Sequence, residues 1–331
     1  MIIYTVVSGD TLFSVAERFD TTPQRIAIDN SLDPTLPLIV GQSLIILYPE
    51  TVYTAKEGDT VLSISEAFGT SAVKIWQNNP ILRGNHEIFP GQTIVISYGP
   101  PLFGEKAVHG YAYTYIEDDL LRRTLPYLTY LSVFPYGINE MGDIISPVGD
   151  SRLIERAKEY NTLPLMTLTS LTPDGVFSSD LVNRVLSDRE LRTAVIRNTA
   201  RAVFSKGLGG VDVDFEFIAP SLADSYVQFI EELKNALGDG YTVLVDLAPK
   251  TLATQPGLLY EAHSYPTLGE AADKVFLMTY EWGYMFGPPL AVSPVENVRA
   301  VIEYAKSEIP ADKILMGIPS YGYDWLFSMV T

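Results

Sequence analysis

Gly209-Gly210-Val211-Asp212-Val213-Asp214-Phe215-Glu216-Phe217 alternates acidic and apolar residues over a strand's length. Successive side chains of a strand point to opposite faces. Asp212, Asp214 and Glu216 therefore share one face, and Val211, Val213, Phe215 and Phe217 the other. Three carboxyls on one buried face cannot all ionise cheaply. Like charges raise at least one pKa and keep a carboxylic acid protonated near neutrality. Glu216, at the strand's end, is placed to protonate a leaving group. A solvated acidic end or a cation site is the plainer alternative, and the apolar opposite face argues against it.

Around this segment, short apolar runs alternate with amphipathic stretches. Strands are predicted at Val108–Tyr113, Tyr130–Tyr136, Pro164–Leu168, Gly210–Glu216, Tyr241–Ala248, Lys274–Tyr280 and Ile314–Pro319. Helices are predicted at Ser151–Tyr160, Asp188–Lys206, Ser221–Leu237 and Val295–Ser307. Such alternation argues for parallel βαβ units, and seven strands in one domain for an α/β (β/α)8 barrel of the TIM type. The acidic face would then point inward, with Glu216 at the C-terminal mouth. No dinucleotide fingerprint follows the first strand and no P-loop sequence occurs. Only six residues follow Trp325, so the barrel, assigned to residues 106–331, is expected to lack its eighth strand and to be C-terminally incomplete, with open edges at strands one and seven.

The composition narrows the chemistry. The net charge of −17 disfavours nucleic acid and anionic membranes as partners. Without cysteine and with three scattered histidines (His86, His109 and His263), thiolate chemistry and a histidine-rich metal site are improbable, so no cofactor or metal is expected. The N-terminus lacks the basic-then-apolar pattern of a Sec signal, and no apolar run is long enough to span a bilayer.

The first hundred residues repeat. Tyr4-Thr5-Val6-Val7-Ser8-Gly9-Asp10-Thr11 matches Tyr53-Thr54-Ala55-Lys56-Glu57-Gly58-Asp59-Thr60, and Val40-Gly41-Gln42 matches Pro90-Gly91-Gln92; Asn30 pairs with Asn79. Each copy reads strand, helix, helix, strand, with the Gly-Asp-Thr turn capping the first helix. The boundaries are 1–49, 50–98 and a Gly/Pro-rich linker at 99–105. The pattern resembles the lysin motif, LysM, twice over. The resemblance implies two βααβ modules that bind N-acetylglucosamine-containing glycans such as peptidoglycan or chitin. Carried over, the glycan-binding candidates are Gly9, Asp10, Thr11 and Leu12, and Gly58, Asp59, Thr60 and Val61.

The fourth predicted strand resembles the D-G-x-D-x-D-x-E signature of glycoside hydrolase family 18, the chitinase-like hydrolases. Met278-Thr279-Tyr280-Glu281 is similar to that family's sixth-strand motif, and Met316-Gly317-Ile318-Pro319-Ser320-Tyr321-Gly322-Tyr323-Asp324-Trp325 to its seventh. With the LysM pair, the chain looks like the peptidoglycan N-acetylglucosaminidases of bacterial endospores, which would be made in the cytoplasm and associate with spore coat or cortex. The resemblance implies substrate-assisted retaining catalysis. Glu216 is the acid and base, Asp214 orients the acetamido group, Tyr280 bonds its oxygen and Asp212 supports Asp214. Tyr111, Tyr113, Phe134, Tyr136, Glu281, Trp282 and Tyr321 are candidates to line the cleft. Gly209 stands where the signature has its first Asp, so modified activity is expected. A coat protein that binds glycan without cleaving it, and a chitinase, use the same residues and stay open at this point.

Overall fold

A computed structural model describes residues 1–99 and 104–325, so most of the expected linker lies outside the described residues. The chain forms two compact units. One holds Met1–Lys106, Ile116–Leu128 and Glu159–Thr162; the other holds Ala107–Tyr115, Thr129–Lys158 and the residues from Leu163 onward.

In the first unit, strand Ile2–Thr5 pairs antiparallel with Ser43–Ile46, and Pro49–Thr54 with Thr93–Tyr98. Helices Leu12–Arg18 and Pro23–Asp29 lie between the first pair of strands, and Val61–Ala67 and Ala72–Asn78 between the second. Thr11 Oγ1 accepts from Ser14 N at 3.1 Å and Ser14 Oγ from Thr11 N at 2.9 Å; Thr60 and Ser63 repeat this reciprocal cap. The repeated asparagine has a structural use. Asn79 Nδ2 donates to Ile75 O and Val95 O, and its Oδ1 accepts from Val95 N, each at 2.8 Å. Asn30 does the same with Ile26 O, Ile45 O and Ile45 N. One amide thus ties the second helix to the closing strand in both copies. Trp76 is buried against His86 and Tyr160, both rings at 4.9 Å, and its Nε1 donates to Asn85 O at 2.7 Å.

In the second unit, seven parallel strands follow one another in chain order: β1 (His109–Tyr113), β2 (Tyr130–Ile138), β3 (Leu163–Thr169), β4 (Gly210–Asp214), β5 (Thr242–Leu247), β6 (Lys274–Leu277) and β7 (Ile314–Met316). A short segment, Ile144–Ile145, pairs antiparallel with β2. Among the described residues β1 and β7 each have one parallel neighbour, as expected for a TIM-type barrel one strand short. The connecting helices include Asp150–Glu159, Arg189–Lys206, Ala223–Leu237 and Val295–Glu308. The outward side chains Val211, Val213 and Phe215 are fully buried, and Phe215 packs on Tyr226 and Phe229 of helix Ala223–Leu237. Inside, Leu165, Leu244, Phe276 and Leu315 form an apolar cluster.

Three strands end two or three residues earlier than predicted. β4 stops at Asp214, so Glu216 lies in the loop beyond it, and Phe217 (φ 54°) is 45% exposed instead of joining the outer face. β6 stops at Leu277 because Thr279 N and Tyr280 N donate back to Leu277 O and Met278 O, both at 2.8 Å, in successive tight turns. β7 stops at Met316. Packing also explains the glycines before the acids. A Cβ on Gly210, at φ 154°, would fall 1.9 Å from Thr242 O, and one on Gly209 would fall 2.3 Å from Leu163 Cγ.

Candidate active site

β4 carries Asp212 and Asp214 inward, and the other strands surround them with polar groups. Asp212 is fully buried. Its Oδ2 accepts from Ser132 Oγ of β2 at 2.6 Å. Ser132 Oγ lies 2.7 Å from His109 Nε2 of β1, which is itself 3.6 Å from Asp212 Oδ2. Because the serine proton goes to Asp212, the serine oxygen accepts from His109 Nε2–H, which assigns that tautomer. Burial pushes the His109 pKa down against the pull of Asp212, so the ring is neutral. On β5, Asp246 accepts from Tyr111 Oη at 2.8 and 3.0 Å.

Burial raises the pKa of Asp212, and it raises those of Asp214 and Asp246 well above the usual carboxylate range, with the neighbouring carboxylates adding to both. Asp214 Oδ1 has no protein donor. Glu216, half-buried beyond the strand, is raised by burial and then by Glu281. Tyr280 is held strongly protonated by burial and by Asp246 and Asp214. Phe217 and Glu281, the residues just after Glu216 and Tyr280, both have left-handed backbone, with φ of 54° and 65°. Such strain at non-glycine residues concentrates at functional sites. His263 fixes the same corner from behind. Its Nδ1 accepts from Ala248 N at 2.8 Å, and its Nε2–H donates to Phe215 O at 3.1 Å, next to Glu216.

The cleft candidates separate. Glu281 accepts from Tyr321 Oη and Tyr323 Oη, both at 3.2 Å. Tyr113 is half-exposed, stacks on Tyr115 at 5.0 Å and meets Phe134 edge-on at 5.2 Å. Trp282 is half-buried at the start of a loop where its N donates to Val292 O. Tyr136 does not line a cleft. It is fully buried and donates to Asp150 Oδ2 at 2.7 Å, an oxygen that also takes Lys206 Nζ at 2.7 Å. Tyr111 is 37% exposed and donates its hydroxyl to Asp246.

Sequence reasoning missed Ser132, Asp246 and the places of His109 and His263. The available signal was Asp246 itself, a lone acid at the inward phase of Val243-Leu244-Val245-Asp246-Leu247.

In the repeats, Gly9 and Gly58 take left-handed φ of 93° and 86° in the turns. Asp10 Oδ2 accepts from Val7 N (2.9 Å) and Tyr4 Oη (2.5 Å), and Asp59 Oδ2 from Lys56 N (2.7 Å) and Tyr53 Oη (2.8 Å). These carboxylates brace the turns, while Thr11 and Thr60 cap the helices. Leu12 and Val61 are buried in the repeat interiors, so their side chains are not offered to a ligand; the residues after them, Phe13 and Leu62, are exposed.

Comparison with known proteins agrees with both halves. The model for glycosyl hydrolases family 18 matches residues 175–329, and that for the LysM domain matches 4–47 and 53–97. The cortical fragment-lytic enzyme of Bacillus anthracis is 35% identical over 98% of this chain and 76% of the relative. That of Bacillus subtilis is 36% identical over the same shares. The crystal structure of the Bacillus cereus spore cortex-lytic enzyme SleL superposes with a TM-score of 0.76 at 33% identity, covering 98% of this chain and 75% of that one. With the family motifs, the order of domains and near-complete coverage in agreement, the chain belongs to glycosyl hydrolases family 18, preceded by two LysM domains.

Proposed function

We propose that this glycoside hydrolase cleaves N-acetylglucosaminyl linkages of spore-cortex peptidoglycan, to which its LysM domains hold it. The observation that carries the chemistry is Glu216, a half-buried carboxyl whose pKa burial raises, two residues beyond Asp214, whose Oδ1 is buried without a donor. The relatives' printed activity favours cortex over chitin. Among the described residues no helix is long and apolar enough to cross a membrane.

The residues support a substrate-assisted course. The sugar's 2-acetamido oxygen attacks the anomeric carbon while Glu216 gives its proton to the glycosidic oxygen, and the bond to the leaving sugar breaks. Asp214 accepts the acetamido N–H and stabilises the positive oxazolinium ion; Tyr280 donates to the acetamido oxygen. Glu216, now a carboxylate, takes a proton from water as that water's oxygen bonds the anomeric carbon. The acetamido oxygen leaves and the configuration is retained. A pKa raised by burial suits the first step, because the acid must hold its proton near neutrality. Replacing Glu216 with Gln should lower kcat on cortex fragments by at least about a hundredfold, the usual scale for general acid catalysis. Equal reducing-end release by both proteins would remove Glu216 from this role. Binding without release by the parent would leave a glycan-binding protein.

A further inference from the structure

That mechanism leaves one buried carboxyl unused. On β5, Thr242 pairs with Gly210 and Leu244 with Asp212, which brings Asp246 to the level of Asp214. Asp246 is almost fully buried, both of its oxygens accept from Tyr111 Oη, and it lies on the strand beside Asp212, whose Oδ1 is buried without a hydrogen-bond partner. Ionised carboxylates are acceptor-only, so only a proton on Asp246 would let it serve that orphaned oxygen. Asp212 already accepts from Ser132 at its other oxygen, which favours the anion there, while burial and the neighbouring carboxylates favour the acid on Asp246.

We infer that Asp246 is a positioning residue of this glycosidase, whose carboxylic acid donates to Asp212 and so orients the Asp212–Asp214 pair beneath the reacting sugar. The inference rests on the proposed hydrolase reading. The titratable groups facing Asp246 are Tyr111 from β1, Asp212 and Asp214 from β4, Tyr226 from helix Ala223–Leu237, and Tyr280 beyond β6, while His109 and Ser132 lie against Asp212. None of them is a cation: His109 is neutral. Ionising Asp246 would therefore break the bond to Asp212 and set a further like charge beside Asp212 and Asp214. Catalysis should fall as Asp246 loses its proton.

The Asp246→Asn variant is informative because its amide keeps a donor for Asp212 and an acceptor for Tyr111 but cannot ionise. On cortex fragments its kcat should stay within about threefold of the parent at neutral pH, and its alkaline limb should move up by about one pH unit. Asp246→Ala should lose about tenfold in kcat with KM little changed, the equivalent of one hydrogen bond to a charged group. If Glu216 alone set the alkaline limb, removing a negative neighbour would leave it unmoved or move it down, and either result overturns the inference. Carboxyl-carbon NMR of aspartate-labelled protein gives an answer that needs no turnover and covers an Asp246→Ala variant that fails to fold. In the parent and in Glu216→Gln, one more aspartate should keep the shift of a protonated acid at neutral pH than in Asp246→Asn. If Asp246→Asn shows as many protonated aspartates as the parent, or the parent shows none, the inference falls. Absence of turnover in the parent, or equal turnover in Glu216→Gln, counts against the hydrolase reading alone.

Discussion

His263 yields a prediction whose size follows from the structure. The ring is fully buried, and burial pushes its pKa down to about 4 from an ordinary 6.5. Its two nitrogens hold Ala248 N and Phe215 O, and the adjacent Lys250 Nζ donates to the carbonyls of Tyr260 and His263, both at 3.1 Å. A protonated ring would lose the Ala248 bond and sit beside Lys250. The folded protein therefore resists a proton that the unfolded chain accepts below pH 6.5. Stability from this group is present above 6.5 and is lost as pH falls toward about 4. A fall in pKa from 6.5 to about 4 is worth about 3 kcal/mol, most of which should be gone by pH 4.5. The raised carboxyls act with the opposite sign over this range, so the parent curve alone would mix the two effects. The difference from His263→Phe isolates the histidine. Above pH 7 that variant should be less stable by about 2–5 kcal/mol, because a buried N–H and C=O lose their partner. Urea unfolding from pH 4.5 to 8 should show the gap narrowing by about 2–3 kcal/mol on acidification. A gap constant with pH would refute a buried neutral ring at this corner.

Three further outcomes are expected. Gly209→Asp, which would restore the family signature, should destabilise the protein by about 1–3 kcal/mol in chemical unfolding, because the new side chain must displace Leu163. Asn79→Ala removes three buried hydrogen bonds and should cost about 2–4 kcal/mol, with loss of peptidoglycan pelleting by the second repeat following from unfolding, as the melting curve would show. Tyr136→Phe should lower stability by about 1 kcal/mol and leave kcat/KM on cortex fragments within about twofold of the parent; a large loss of activity would place Tyr136 in the cleft after all.

Much of this was legible in the chain because it depends on local periodicity. The alternation of Asp212, Asp214 and Glu216 with valine and phenylalanine specifies a strand, its faces and the carboxylates that share one of them. The recurrence of Gly9-Asp10-Thr11 as Gly58-Asp59-Thr60 specifies two copies of one unit. What stayed hidden depends on partners far along the chain. Ser132 is 80 residues from Asp212, and Asp246 is 135 from Tyr111; only closing the sheet brings them together. The same closure takes Tyr136 out of the cleft, because β2 turns its hydroxyl toward Asp150. Sequence alone thus determined which strand bears the acids. Tertiary structure decided that their pKa values rise, because desolvation and the proximity of like charges arise only where several strands converge.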